Sequence, residues 1–109
     1  MATGSEKFPN MHPVEGFRLA TACAGIKVTD RKDLVLMEIA GGSTAAAVFT
    51  QNKFCAAPVI IAKQHLQQAQ PSYLLINTGN ANAGTGDQGI ADSLSCCQAV
   101  AGATGVNPN

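Results

Sequence analysis

The amino-acid sequence predicts an α/β fold, in the layered α+β sense, on three observations. Two short runs, "DLVLM" at 33–37 and "YLLIN" at 73–77, are apolar with little alternation, and a strand apolar on both faces is normally covered on both faces. Ile90, Leu94, Cys97 and Ala101 recur at steps of four, three and four residues, which marks one face of a helix. Extended and helical pieces alternate along the chain, so strands and helices are expected in separate layers of a sandwich. The 109 residues, 46% of them hydrophobic, suffice for one domain or one piece of a larger one.

The elements follow in order. "MATGSEKFPNMHP" is polar with two Pro and reads as a flexible entry segment, 1–13, ahead of a folded region spanning 14–109. It has neither the apolar core of a signal peptide nor the Arg-rich pattern of a transit peptide, which implies a cytoplasmic location. "GFRLATACAGIK" and "DLVLMEIA" look extended. Gly41, Gly42 and Ser43 then precede "TAAAVFTQN", predicting a hairpin or short reversal at which two strands meet. "APVIIAKQHLQQAQP" starts β-like at Pro58, Val59, Ile60 and Ile61 and ends helix-like, stopped by Pro71. In the last helix Thr85 and Gln88 stand three apart as in a capping box, Asp87 suits the positive end, and Gly105 with Pro108 closes it.

Charge and composition exclude several function classes. Seven basic residues balance seven acidic ones, leaving no net field to draw in nucleic acid or anionic lipid. No apolar run approaches the eighteen or so residues needed to span a bilayer. Cys23, Cys55, Cys96 and Cys97 lack a metal-ligand spacing and read as reduced thiols in small core positions. His12 and His65 are isolated, and no nucleophile and base set emerges from spacing. Arg18, Lys27 and Lys53 read as solvated or snorkelling cations.

One stretch stands apart. "NTGNANAGTGDQG", 77–89, follows the apolar run 73–76 and packs three Asn and four Gly into thirteen positions. A chain leaving a strand and entering a helix must turn sharply, and Gly79, Gly84 and Gly86 permit the backbone angles this requires. Asn80 and Asn82 can stitch the turn by bonding neighbouring main-chain groups, or offer an amide to a small polar ligand such as an amino-acid carboxylate. Both readings stand at this point. The loop lacks the Lys of a Walker phosphate loop and the glycine spacing of a dinucleotide fingerprint.

"GFRLATACAGIK", "KDLVLMEI", "AAAVFTQNKFCAAPV" and "LLINTGNANAGTGDQGIAD" resemble, in this order, the amino-terminal part of the glutamate N-acetyltransferase family, also called ornithine acetyltransferase. The match runs from Val14 to Val106, and "FTQNKFCAAPV" and the Asn and Gly loop are its most specific parts. Many members carry Cys where Gly84 stands. The resemblance implies the four-layer αββα fold shared with self-processing aminopeptidases of the DmpA type, with this chain as a partial domain from the alpha subunit. It further implies arginine biosynthesis by transfer of an acetyl group from N-acetylornithine to glutamate, with acetyl-CoA as a further donor in some members.

The family cuts itself to free a Thr whose hydroxyl is the nucleophile and whose α-amine, titrating near pH 8 when unperturbed, is the base. That Thr, the Thr and Gly oxyanion pair, and the substrate-binding Lys, Glu and Asn all lie beyond Asn109. The resemblance therefore assigns no catalytic residue, metal ligand or resident cofactor to this chain, and implies that it is inactive alone. Asn80 and Asn82 are the candidate substrate-site residues. The implied partners are N-acetylornithine, glutamate, and a carboxy-terminal region or beta subunit in a hetero-oligomer. The alternatives are a non-catalytic module completed by a partner chain, or a self-processing aminopeptidase.

Overall fold

The computed structural model describes residues 7–108. Three strands and two helices alternate as β1 (Phe17–Ala22), β2 (Leu34–Ile39), α1 (Ala57–Gln68), β3 (Tyr73–Asn77) and α2 (Gly86–Thr104). Mixed helices and strands of this kind make the α/β class expected from the sequence. Of the entry segment 1–13, residues 1–6 lie outside the described residues; 7–13 are exposed and without helix or strand.

β2 is the middle strand of one antiparallel sheet in the order β1-β2-β3. Leu36 stands opposite Ala20 on one side and Leu75 on the other. Both edges of β2 are occupied by β1 and β3, so the segment after Gly41 and Gly42 cannot form a hairpin with β2. The expected hairpin into "TAAAVFTQN" is therefore absent: 40–56 carries no helix or strand, and the reversal that joins two strands is the 23–33 connection between β1 and β2. Side-chain bonds hold the irregular segment instead. Ala45 donates its amide to Gln70 Oε1 at 2.8 Å, Phe54 donates its own to Asn52 Oδ1 at 3.0 Å, and Lys63 Nζ lies 5.5 Å from the centre of the Phe49 ring.

The β-like start of 57–61 is helical. Pro58 sits in the first turn of α1, where its missing N–H is one that a helix leaves unpaired anyway and its fixed φ favours helix entry. The β-branched Val59, Ile60 and Ile61 follow that lead, and Ile61 is one of the few buried apolar side chains. At α2 the capping box does not form. Thr85 already has helical backbone angles and makes no side-chain cap; its hydroxyl turns back to the Asn82 carbonyl at 3.4 Å, while Gln88 Nε2 donates to Asp92 Oδ1 at 2.8 Å. The other end is as expected, with Gly105 in the left-handed region at φ 77° and its N–H on the Ala101 carbonyl at 2.8 Å.

Burial is sparse. α1 and α2 pack against each other, and Ala57, Ile61 and Ala101 are the buried apolar residues among those described. The cysteines depart from the core expectation: all four are free, with Cys23 and Cys96 exposed and Cys55 and Cys97 half-buried. β2 is half-buried throughout, β1 is exposed throughout, and β3 alternates. The register places Leu19, Met37 and Leu74 on one sheet face with Phe17, Val35, Ile39 and Ile76. That face stays open, Leu19 being 59% and Leu74 47% exposed, so the described residues do not cover both faces of the sheet.

Candidate functional site

The site is built on the Asn and Gly loop between β3 and α2. Asn82 lies at its centre, half-buried. Its Nδ2 donates to Asn77 Oδ1 at 2.8 Å, and its Oδ1 accepts from Asn80 Nδ2 at 3.2 Å. Its main-chain carbonyl accepts the Ala57 amide at 3.2 Å and the Thr85 hydroxyl. Asn82 thus joins the end of β3, the loop, the start of α1 and the start of α2. Asn80 differs. It is exposed and spends one amide N–H on Asn82, leaving its carbonyl oxygen and second N–H toward solvent.

A second polar centre, Asp33, was not legible from spacing. It is 4% exposed. Its Oδ1 accepts the Ala24 amide at 2.6 Å and its Oδ2 the Ile26 amide at 2.8 Å. Its main-chain N–H donates to Ala22 O at 3.1 Å, and its carbonyl accepts the Thr78 amide at 2.9 Å. The Ala24 amide, then the Ile26 amide, hold its carboxyl below the usual carboxylate range against the opposing pull of burial. One carboxylate therefore fixes the β1–β2 connection and, through its own backbone, the first residue after β3. The sole sequence sign is an Asp directly ahead of an apolar run, which is common to many turns.

The loop "FTQNKFC" meets the Asn and Gly loop. Lys53, Phe54 and Cys55 face Gly84, Thr85 and Asp87 across a cleft of about 290 Å³, and a neighbouring hollow of about 360 Å³ continues from Cys55 and Ile60 toward Asn52 and Lys63. Gly84 has φ 72°, and a Cβ there would fall 2.8 Å from Phe54 Cζ. A side chain at this position would strain the left-handed backbone and require Phe54 to move, which the 70% exposure of Phe54 permits. Among the described residues no three His, Cys, Asp or Glu converge as metal ligands.

Arg18, Glu38 and Tyr73 lie side by side across the three strands. Arg18 pairs with Glu38, and Tyr73 Oη donates to Glu38 Oε1 at 2.9 Å. The Tyr73 hydroxyl, then Arg18, lower the Glu38 pKa, and the Glu38 carboxylate raises that of Tyr73. Arg18 is therefore a surface cation paired across the β1–β2 ladder. Burial, then Cys96, pushes the Cys97 thiol up, which keeps it protonated rather than nucleophilic.

The ArgJ family profile matches residues 18–109. The chain belongs to the ArgJ family. Its sequence is 58% identical over 93 residues to the arginine biosynthesis bifunctional protein ArgJ of Methylococcus capsulatus, covering 85% of this chain and 22% of that protein. It is 54% identical over 107 residues to that of Pseudomonas syringae pv. tomato, covering 98% and 26%. The chain thus spans about a quarter of the length of these ArgJ relatives.

Solved ArgJ structures carry the same fold over this span. Ornithine acetyltransferase from Mycobacterium tuberculosis, complexed with ornithine, superimposes with a TM-score of 0.75 at 42% identity, over 82% of this chain and 47% of that one. The ArgJ protein of Bacillus halodurans gives a TM-score of 0.80 at 28% identity, over 86% and 49%.

Proposed function

We propose that this chain forms one wall of the acetyl-transfer site of an arginine-biosynthesis enzyme, acting together with polypeptide outside these 109 residues. The observation that carries the reading is the meeting of the two family-specific stretches. Asn82 O accepts the Ala57 amide at the end of "FTQNKFCAAPV", and both stretches line one cleft. The packing of α1 on α2 brings the two stretches together at the starts of both helices, and in this reading the cleft they line is where substrate sits.

The substrates in this reading are N-acetylornithine and glutamate, with acetyl-CoA as a second donor. A Thr hydroxyl on the accompanying polypeptide attacks the acetyl carbonyl. The α-amine of that Thr takes the proton and returns it to the departing ornithine amine, and the acyl-enzyme then passes the acetyl group to glutamate. Asn80 and Asn82 stand outside the lining of that cleft; in this reading the exposed Asn80 amide meets substrate from the adjoining part of the loop, whereas Asn82 holds the wall in shape. The chain works inside the cell in a hetero-oligomer with the region that bears the Thr.

Surface area supports the dependence on further polypeptide. The chain exposes 8700 Å² at 11.1 kDa, where a self-contained protein of that mass exposes about 5,700 Å². No helix of the described residues is long and apolar enough to cross a membrane; the proposed cover of the open sheet face is the rest of an ArgJ polypeptide. A non-catalytic module is the second reading, favoured by the internal saturation of Asn82. Steady-state acetyl transfer by the full-length enzyme separates them. Asn80→Ala is expected to lower kcat/KM by about ten-fold, the loss of one or two substrate hydrogen bonds, without changing thermal stability. Equal loss of activity and fold contradicts the substrate role.

A further inference from the structure

We propose that Asp33 is a positioning residue for the Asn80 amide, an inference that rests on reading the Asn and Gly loop as a wall of the acetyl-transfer site. Asn80 is exposed and has a single internal partner through its side chain, Asn82. An exposed amide on a glycine-rich loop is held in one orientation only when the backbone on both sides of it is fixed. Asn82 fixes the carboxy-terminal side through Asn77, Ala57 and Thr85. The amino-terminal side depends on the β1–β2 connection.

Asp33 ties that connection to the loop in two ways. Its carbonyl accepts the Thr78 amide, two residues before Asn80. Its carboxylate holds the amides of Ala24 and Ile26, and so places Ile26 and Lys27 under Gly79. Gly79 has φ 103°, and a Cβ on it would lie 3.2 Å from Lys27 Cβ and 3.7 Å from Ile26 Cγ2. The loop therefore rests directly on the segment that the carboxylate has folded. Replacing the carboxylate by a carboxamide turns an NH₂ toward one of the two main-chain donors, releasing that donor and the segment beneath Gly79.

A double-mutant cycle on the full-length enzyme tests this, with acetyl transfer from N-acetylornithine to glutamate as the readout. Asp33→Asn and Asn80→Ala are each expected to lower kcat/KM about ten-fold, with the same division between kcat and KM, and the double variant to lose about ten-fold as well, because both changes remove one placed amide. A double variant down about a hundred-fold, the product of independent effects, overturns the proposal. So does unchanged kcat/KM in Asp33→Asn beside a reduced value in Asn80→Ala. If Asn80→Ala leaves kcat/KM unchanged, the wall reading falls and the positioning role falls with it. Should Asp33→Asn fail to fold, Gly79→Ala disturbs the same junction from the loop side, and the cycle with Asn80→Ala is judged by the same outcomes.

Discussion

The Asp33 and Asn82 junction and the outer strand β1 are opposite kinds of structure in one chain. At the junction, main-chain donors of the turn are met by side-chain acceptors, and no buried side-chain polar atom among the described residues lacks a partner. Along β1 every residue is exposed, although Phe17 and Leu19 are residues that a fold normally hides. The junction is finished by local polar bonds, whereas the sheet awaits apolar cover from elsewhere. Order at the proposed site is thus encoded within this segment, whereas in the proposed function the stability of the sheet depends on the remainder of an ArgJ protein.

Leu19→Asp breaks that contrast most severely. In the assembled enzyme it is expected to cost about 3 kcal/mol or more, because an unpaired carboxylate would enter an apolar interface. In the isolated chain the same residue faces water and the change should stay within about 0.5 kcal/mol. Denaturant midpoints of the two forms provide the check, and equal small effects would mean that the face is never covered.

Asn82→Ala comes next. It leaves the half-buried Asn77 Oδ1 without its donor and the Asn80 amide to water, with an expected loss of about 1 kcal/mol in the assembled enzyme. Asn80→Ala should lie within about 0.5 kcal/mol of the parent. Thermal denaturation of the pair decides whether the stitching and contacting roles are divided between them.

Gly89 sharpens the account of the helix entrance. An alanine within a helix usually stabilises relative to glycine by about 0.5–1 kcal/mol, but here the new Cβ would fall 1.8 Å from Thr85 Oγ1 and 2.6 Å from Thr85 Cβ. Gly89→Ala is therefore expected to destabilise the assembled enzyme, by about 1 kcal/mol. A rise in melting temperature would show that Thr85 moves aside freely.

The smallest effect is the pH response of the junction. A carboxyl whose folded pKa lies below its unfolded value stabilises the fold above the unfolded pKa of about 3.9. That contribution is lost as pH falls through the depressed folded pKa. Protection factors for amide exchange at Ala24 and Ile26 should stay high at pH 5 and fall only as the pH drops below the unfolded value of about 3.9, and Asp33→Asn should lower them already at pH 5. Protection that does not change with acidification would contradict the role given to the carboxylate.

Sequence alone locates the three strands, the body and carboxy-terminal cap of α2, and the loop around Asn80 and Asn82, because each depends on neighbours in the chain. It misreads Val59 to Ile61, where a first-turn proline outweighs β-branched propensity, and 44–52, where pairing is decided by which edges of β2 are already taken. Asp33 escapes notice for a related reason. Its donors lie seven and nine residues away and mean nothing until the chain has turned back. The Thr85 and Gln88 pair had the right spacing, but the helical backbone at Thr85 turned its hydroxyl elsewhere.

Acetyl transfer assayed on the 109-residue chain alone and after addition of the rest of an ArgJ protein, with intact mass recorded for each polypeptide, goes to the centre of the account. No turnover and no acetyl adduct on this chain are expected in isolation, with transfer appearing on completion and the adduct on the added polypeptide. A covalent acetyl group on a side chain of the isolated 109 residues would contradict it.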